Sequence, residues 1–263
     1  MTEFIYAAVS VTVFMSGLWY YGYRKNNYNI VDVGWTFSLW ICMTAYFILS
    51  EGVPQRNILL FLFVTAWSFR LGFYLLFSRV LGDHREDARY NEFRISYGES
   101  VHRKFYTNIF MFQGFLDVFL SVPFFLILNS PVPFGILDYC GFFLCFAGLA
   151  GETAADRQLH SFKSEERNKG RNCETGLWYY SRHPNYFFEW IIWIGYAVLS
   201  FNHGYGYLGL ISAGAMFYFL TQLTGIKMSE KQSLSKRPEE YALYQKTTSA
   251  FFPWFKKKLP QEG

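Results

Sequence analysis

Gly176 to Gly195 reads GLWYYSRHPNYFFEWIIWIG. Four strongly polar residues, Arg182, His183, Asn185 and Glu189, stand at the entrance to an apolar run through Trp190, Ile191, Ile192, Trp193 and Ile194. Packing alone gives such groups nothing, because desolvating them is costly unless they are paired or bind something. Pro184 suits the first position of a helix, where its missing N–H would have no partner anyway. The stretch therefore predicts a helix that starts at Pro184 with its positive end toward the polar cluster. That arrangement favours an anion such as a phosphate.

Working outward, the chain has 263 residues, of which 52% are hydrophobic, 22% aromatic and only 17% charged. That balance argues against an ordinary water-soluble domain and for an integral, multi-pass membrane protein. With roughly 20 apolar residues needed per spanning helix, seven candidates emerge: about Phe4 to Tyr23, Ile30 to Ser50, Ile58 to Phe77, Asn108 to Asn129, Phe134 to Ala155, Asn185 to Phe201 and Tyr205 to Ile226. Pro123 is placed to kink the fourth. Basic residues give an independent test of the count. The segments 24–29, 78–107, 156–184 and 227–263 hold 2, 6, 6 and 8 of them, or 22 of the 24 Lys and Arg. Of the other two, Arg56 falls in a loop on the opposite side and Arg70 inside the third span. This alternation predicts an all-α bundle of seven transmembrane helices, N-terminus outside and C-terminus cytoplasmic. Residues 1–263 read as one membrane-embedded domain without internal repeats, opening on an uncleaved first span.

Other function classes lose ground at this stage. Cys42, Cys140 and Cys145 sit in apolar runs and Cys173 in a basic loop, which offers neither a disulfide framework nor a metal site. No nucleic-acid partner is expected. Gly204 to Gly209 matches G-x-G-x-x-G but lacks the strand-turn-helix setting of a dinucleotide fingerprint. Lys256, Lys257 and Lys258 read as a contact with anionic lipid, and Phe251 to Phe255 as an interfacial segment.

Several side chains invite chemistry. Glu152 and Asp156, four residues apart, share a face at the end of the fifth span. They suit hydrogen bonds from the ribose or amide groups of a nucleotide cofactor, or else a helix end paired with Arg157 or Lys163. Asp32 lies near the start of an apolar span, where a charge is expensive; Arg70 is its natural partner, and a first-turn acid favoured by the helix dipole is the plainer reading. Arg79, Arg85 and Arg89 with Tyr90 form a candidate phosphate patch.

These residues carry a family resemblance. The central run, the pattern Glu152-x-x-x-Asp156-x-Gln158 continuing to Phe162-Lys163, the EDARY at Glu86 to Tyr90, Asp32-x-x-Trp35 and the close from Tyr244 to Trp254 resemble the DUF1295 family, which is related to the steroid 5-alpha-reductases. The resemblance covers nearly the whole chain. It implies a seven-helix reductase of a bacterial inner membrane or the endoplasmic reticulum that uses NADPH to reduce a carbon–carbon double bond conjugated to a ketone in a steroid-like or other lipid. By that likeness Glu152, Asp156, Lys163, Tyr180, Arg182, His183, Asn185, Tyr186 and Glu189 would line the NADPH site, with Arg79, Arg89, Tyr241 and Tyr244 assisting. Asp32 stands as the acid at the substrate oxygen. Trp67 occupies the place where that family has a tyrosine, so Tyr74 on the same span is the fallback. An alternative resemblance, through the R-H-P-x-Y motif and the acids Glu230, Glu239 and Glu240, is to membrane S-adenosylmethionine-dependent methyltransferases of the isoprenylcysteine carboxyl methyltransferase type.

Overall fold

Proline placement decides where several of the helices begin. Pro54, Pro123, Pro184 and Pro238 each sit in a first helical turn, where the missing N–H is harmless. The computed structural model describes residues 2–82, 86–223 and 225–258, so Arg85 of the arginine patch lies outside the described residues. In order, the helices are α1 (Thr2–Lys25), α2 (Val31–Ile48), α3 (Pro54–Leu75), α4 (Ala88–Tyr97), α5 (Val101–Phe105), α6 (Phe112–Leu120), α7 (Val122–Leu128), α8 (Ile136–Ser164), α9 (Leu177–Tyr180), α10 (Pro184–Ser200), α11 (Leu208–Tyr218), α12 (Ile226–Lys236) and α13 (Pro238–Thr247). Wider π-helical turns extend α3 and α11 and join α5 to α6. As expected for Pro123, the fourth span is interrupted at Ser121, between α6 and α7.

The protein is an all-α polytopic membrane protein: among the described residues, six helices are long and apolar enough to cross a bilayer. The remaining expected span is α10, whose 17 residues reach about 25 Å at 1.5 Å per residue. On α1, Ile5, Val9 and Val13 form an exposed apolar stripe at four-residue spacing, the surface a helix presents to lipid.

Two compact units divide the chain, residues 1–138 with 199–212 and residues 139–198 with 213–263. In the first unit, α2 lies between α1, α3 and α6, and Trp35 meets Trp67 edge to face at 5.8 Å. Arg56, expected in a loop, is instead fully buried in the first turn of α3. It grips Asp138 at 2.5 and 2.9 Å and the Val132 carbonyl at 2.9 Å, while Asn202 donates to the same carboxylate at 3.1 Å.

The second unit is built on the close approach of α8 and α10. A Cβ on Gly148 would stand 2.6 Å from Ile192 Cγ1 and 2.8 Å from the Phe188 carbonyl; one on Gly195 would stand 2.9 Å from the Gly141 carbonyl. Small residues at these positions let the two backbones approach, as at membrane helix interfaces generally.

Candidate functional site

Because α8 and α10 pack so closely, the acids of one helix meet the polar positions of the other. Asn185 Nδ2 donates to Asp156 Oδ1 at 3.3 Å. Glu152, Asp156 and Glu189 are all buried, and Trp193 Nε1 donates to Glu189 Oε1 at 2.8 Å. Asn185 Oδ1 is shut off from solvent and has no hydrogen-bond partner among the described residues, an unusual state for an amide oxygen. The pair of residues four apart on α8 and the pair four apart on α10 are thus one cluster, dominated by acceptors. Tyr186 lies beside it, stacked on His183 with ring centres 5.4 Å apart. Lys163 is exposed at the far end of α8.

The turn leading into α10 is held from both sides. Gly176 adopts φ +58°, a left-handed conformation that favours glycine, and a Cβ there would run into the Gln158 side chain. Gln158 Oε1 accepts from the Leu177 amide at 2.9 Å, and Trp178 Nε1 donates to the Ala155 carbonyl at 2.9 Å. From the other side comes the tail. Ser181 and Ser249 form a parallel bridge, the Arg182 amide donates to the Ser249 carbonyl at 2.9 Å, and the Trp254 amide donates to the Tyr180 carbonyl at 2.9 Å. Tyr244 Oη donates to the Trp178 carbonyl at 2.5 Å, and Tyr241 is buried beside it.

Arg182 and His183, expected to face a ligand, are bound to protein groups. Arg182 Nε donates to Glu230 Oε1 at 2.7 Å, and its Nη1 donates to the carbonyls of Gln245 (3.0 Å) and Thr248. Glu230 Oε1 is also 3.2 Å from His183 Nε2, and Gln245 Nε2 donates to Glu230 Oε2 at 2.7 Å. Burial pushes the His183 pKa below the ordinary histidine value, against the opposing pull of Glu230. The arginine of the motif is therefore the knot that ties α12, α13 and the tail to the head of α10.

In the first unit a second ionic cluster forms at the head of α2. Asp32 Oδ2 accepts from Arg79 Nη1 at 2.5 Å and Arg89 Nη2 at 2.9 Å, and Asp32 Oδ1 accepts from Tyr90 Oη at 2.7 Å. Asp32 thus pairs with Arg79 and Arg89, which corrects the expected pairing with Arg70. The reason is helical geometry: Asp32 sits in the first turn of α2, level with the end of α3 and the start of α4, not with the middle of α3. Arg89 is shared with Asp87, its Nε donating to Oδ1 at 3.0 Å. Tyr74 lies half-buried on α3, and Trp67 is fully buried.

One acid escaped the sequence reading. Asp117 of α6 is completely buried, with Gln113 Nε2 donating to its Oδ1 at 3.0 Å; just past the end of that helix Ser121 Oγ lies 3.0 Å from Tyr46 Oη. Its signal was an acid inside the span read as Asn108 to Asn129. Among the described residues, no group of three or more His, Cys, Asp or Glu is placed to hold a metal ion.

A family model described as "Protein of unknown function (DUF1295)" matches residues 18–248, most of the chain and all of both clusters. No curated protein and no solved structure matches the chain.

Proposed function

The chain belongs to the DUF1295 family, and for it we propose the activity of a membrane oxidoreductase that uses NADPH to reduce the carbon–carbon double bond of an enone in a steroid-like or other lipid substrate. The observation that carries this reading is the buried, unmatched Oδ1 of Asn185, set among the acceptors Glu152, Asp156 and Glu189. What that oxygen lacks is a hydrogen-bond donor. The ribose hydroxyls and carboxamide N–H of a nicotinamide cofactor are such donors, which supports the fit of this group beside Asn185. When bound, NADPH supplies a hydride for the β carbon of the enone. Asp156 and Asn185 would orient the cofactor through those donors, and the N-terminus of α10 would favour its phosphates. Arg182 and His183 act through the turn they brace, as positioning residues.

Charge that builds on the ketone oxygen calls for a donor beside it. By the family resemblance alone, Tyr74 of the first unit is the candidate for that donor. Asp32 already accepts three hydrogen bonds from Arg79, Arg89 and Tyr90 and is the weaker choice. S-adenosylmethionine would bring an ammonium group to the same acids, so the deciding experiment runs both ligands. In a thermal-shift assay on purified protein, NADPH is expected to stabilise and S-adenosylmethionine not to, and Asn185→Ala is expected to weaken the NADPH response while keeping the ligand-free transition. Stabilisation by S-adenosylmethionine alone would sink the reductase in favour of the methyltransferase.

A further inference from the structure

The first unit holds a buried polar layer that the reductase chemistry does not use. Asp117 of α6 is fully buried in the middle of the fourth span. Its Oδ1 accepts from Gln113 Nε2 at 3.0 Å, and its Oδ2 has no hydrogen-bond partner among the described residues. Gln113 is a neutral donor, and no Lys or Arg faces the carboxyl among the described residues. A carboxylate at that depth is expensive unless a positive charge meets it. Ser38 Oγ of α2 lies beside Asp117, yet it too is buried without a hydrogen-bond partner among the described residues. Hydroxyls in this unit otherwise turn back onto their own helix: Thr12 donates to the Ala8 carbonyl at 2.7 Å, Thr44 to the Trp40 carbonyl at 2.8 Å and Ser121 to the Val118 carbonyl at 2.7 Å. Ser38 does not, and neither does the fully buried Ser68 of α3. Ser68 stands level with Ser38, because the antiparallel contacts on either side of the two bracket them: Trp40 Nε1 donates to Thr65 Oγ1 at 3.0 Å, and a Cβ on Gly72 would lie 2.9 Å from Thr36 Oγ1.

We propose that Asp117, Ser38 and Ser68 form a sodium site inside the first unit. Three buried oxygens with free lone pairs and one negative charge between them match a hard monovalent cation. A divalent ion would leave a second positive charge uncompensated in an apolar interior. A proton on Asp117 cancels the charge but engages at most one of the two hydroxyls. Helices packed as closely as α2 and α3 are at Gly72 present their oxygens in a small enclosure, which suits sodium better than the larger potassium ion. The site stands on the first unit alone, so it holds or fails independently of the reductase reading.

The experiment follows thermal unfolding of the purified full-length protein in NaCl and in choline chloride at matched ionic strength, at a fixed pH of about 8, where an ordinary carboxyl is ionised. Above the dissociation constant, each tenfold rise in sodium is expected to lower the wild-type unfolding equilibrium constant about tenfold, with no such change in choline. Asp117→Asn is expected to abolish the sodium response while still melting cooperatively in choline chloride. Ser38→Ala is expected to weaken sodium binding about tenfold, the usual effect of losing one polar contact to a charge, and it keeps the test decisive if Asp117→Asn does not fold. Identical wild-type melts in the two salts would overturn the site and leave Asp117 neutralised by its own proton. A sodium response that the variants retain in full would overturn it as well, by placing the ion elsewhere.

Discussion

Replacing Arg182 with Met keeps the bulk of the side chain and removes its charge. It leaves Glu230, whose side chain is only 13% exposed, without the guanidinium, and strips the carbonyls of Gln245 and Thr248 of their donor. Hydrogen bonds to charged groups contribute about 1.5–3 kcal/mol each, and breaking one side of a buried ion pair costs about 3–5 kcal/mol. The expected loss for Arg182→Met is therefore about 3–5 kcal/mol, with Glu230→Leu in the same range because it strands Arg182 instead. If each loss reflects a stranded charge, the double variant should cost no more than either single, a coupling as large as one single loss, about 3–5 kcal/mol. Denaturant unfolding in detergent micelles measures all three. Single losses below about 1 kcal/mol, or losses that simply add, would refute the structural assignment and return Arg182 to the role of a ligand-binding arginine.

Three further expectations follow from the same geometry. The His183 pKa is depressed in the folded state, so as pH falls the unfolded chain takes up the proton first; stability should be full above about pH 6.5, decline as pH drops below it, and lose that decline in His183→Gln, which pH-dependent unfolding curves will check. Gly195→Ala places a methyl 2.5 Å from Cys145 Sγ and 2.9 Å from the Gly141 carbonyl, and a thermal melt should register overpacking of about 1–3 kcal/mol; an unchanged melt would mean that α8 and α10 do not approach this closely. Asp32→Asn weakens the charge-assisted bonds from Arg79 and Arg89 and should lower ligand-free stability by about 1.5–3 kcal/mol; intact stability with enone-dependent NADPH oxidation abolished would restore Asp32 as the acid at the substrate.

Much of the helix plan was legible because membrane spans leave a one-dimensional record: length, apolarity and flanking charge. Pro184 marked the first turn of α10 for a local reason, its missing donor, and α10 does start there. The cluster of Glu152, Asp156, Asn185 and Glu189 was half legible, since spacing by four residues puts each pair on one helix face, whereas the pairing of the two faces depends on Gly148 and Gly195. Asp117 was passed over because a window average tolerates one acid, and average hydropathy carries no information on which way a side chain points. Arg56 was misplaced by proximity to a turn; its partner Asp138 stands 82 residues away, beyond any local pattern.

The arginines show where sequence reading fails in principle. An arginine beside a polar motif looks the same in sequence whether it awaits an anion or already holds one, since the distinction lies in a tertiary partner. Arg79, Arg89 and Arg182 drew attention for their neighbours, and each has a carboxylate within 3 Å. Arg157 and Arg171 drew none, being read only as topogenic charge or as a partner for a neighbouring acid, yet neither has an acid partner among the described residues. An unmatched guanidinium on a pinned loop keeps its full donor capacity, whereas a matched one must first give up its partner. In this protein the Arg-His-Pro turn, with its arginine matched to Glu230, supplies the rigid floor from which α10 starts.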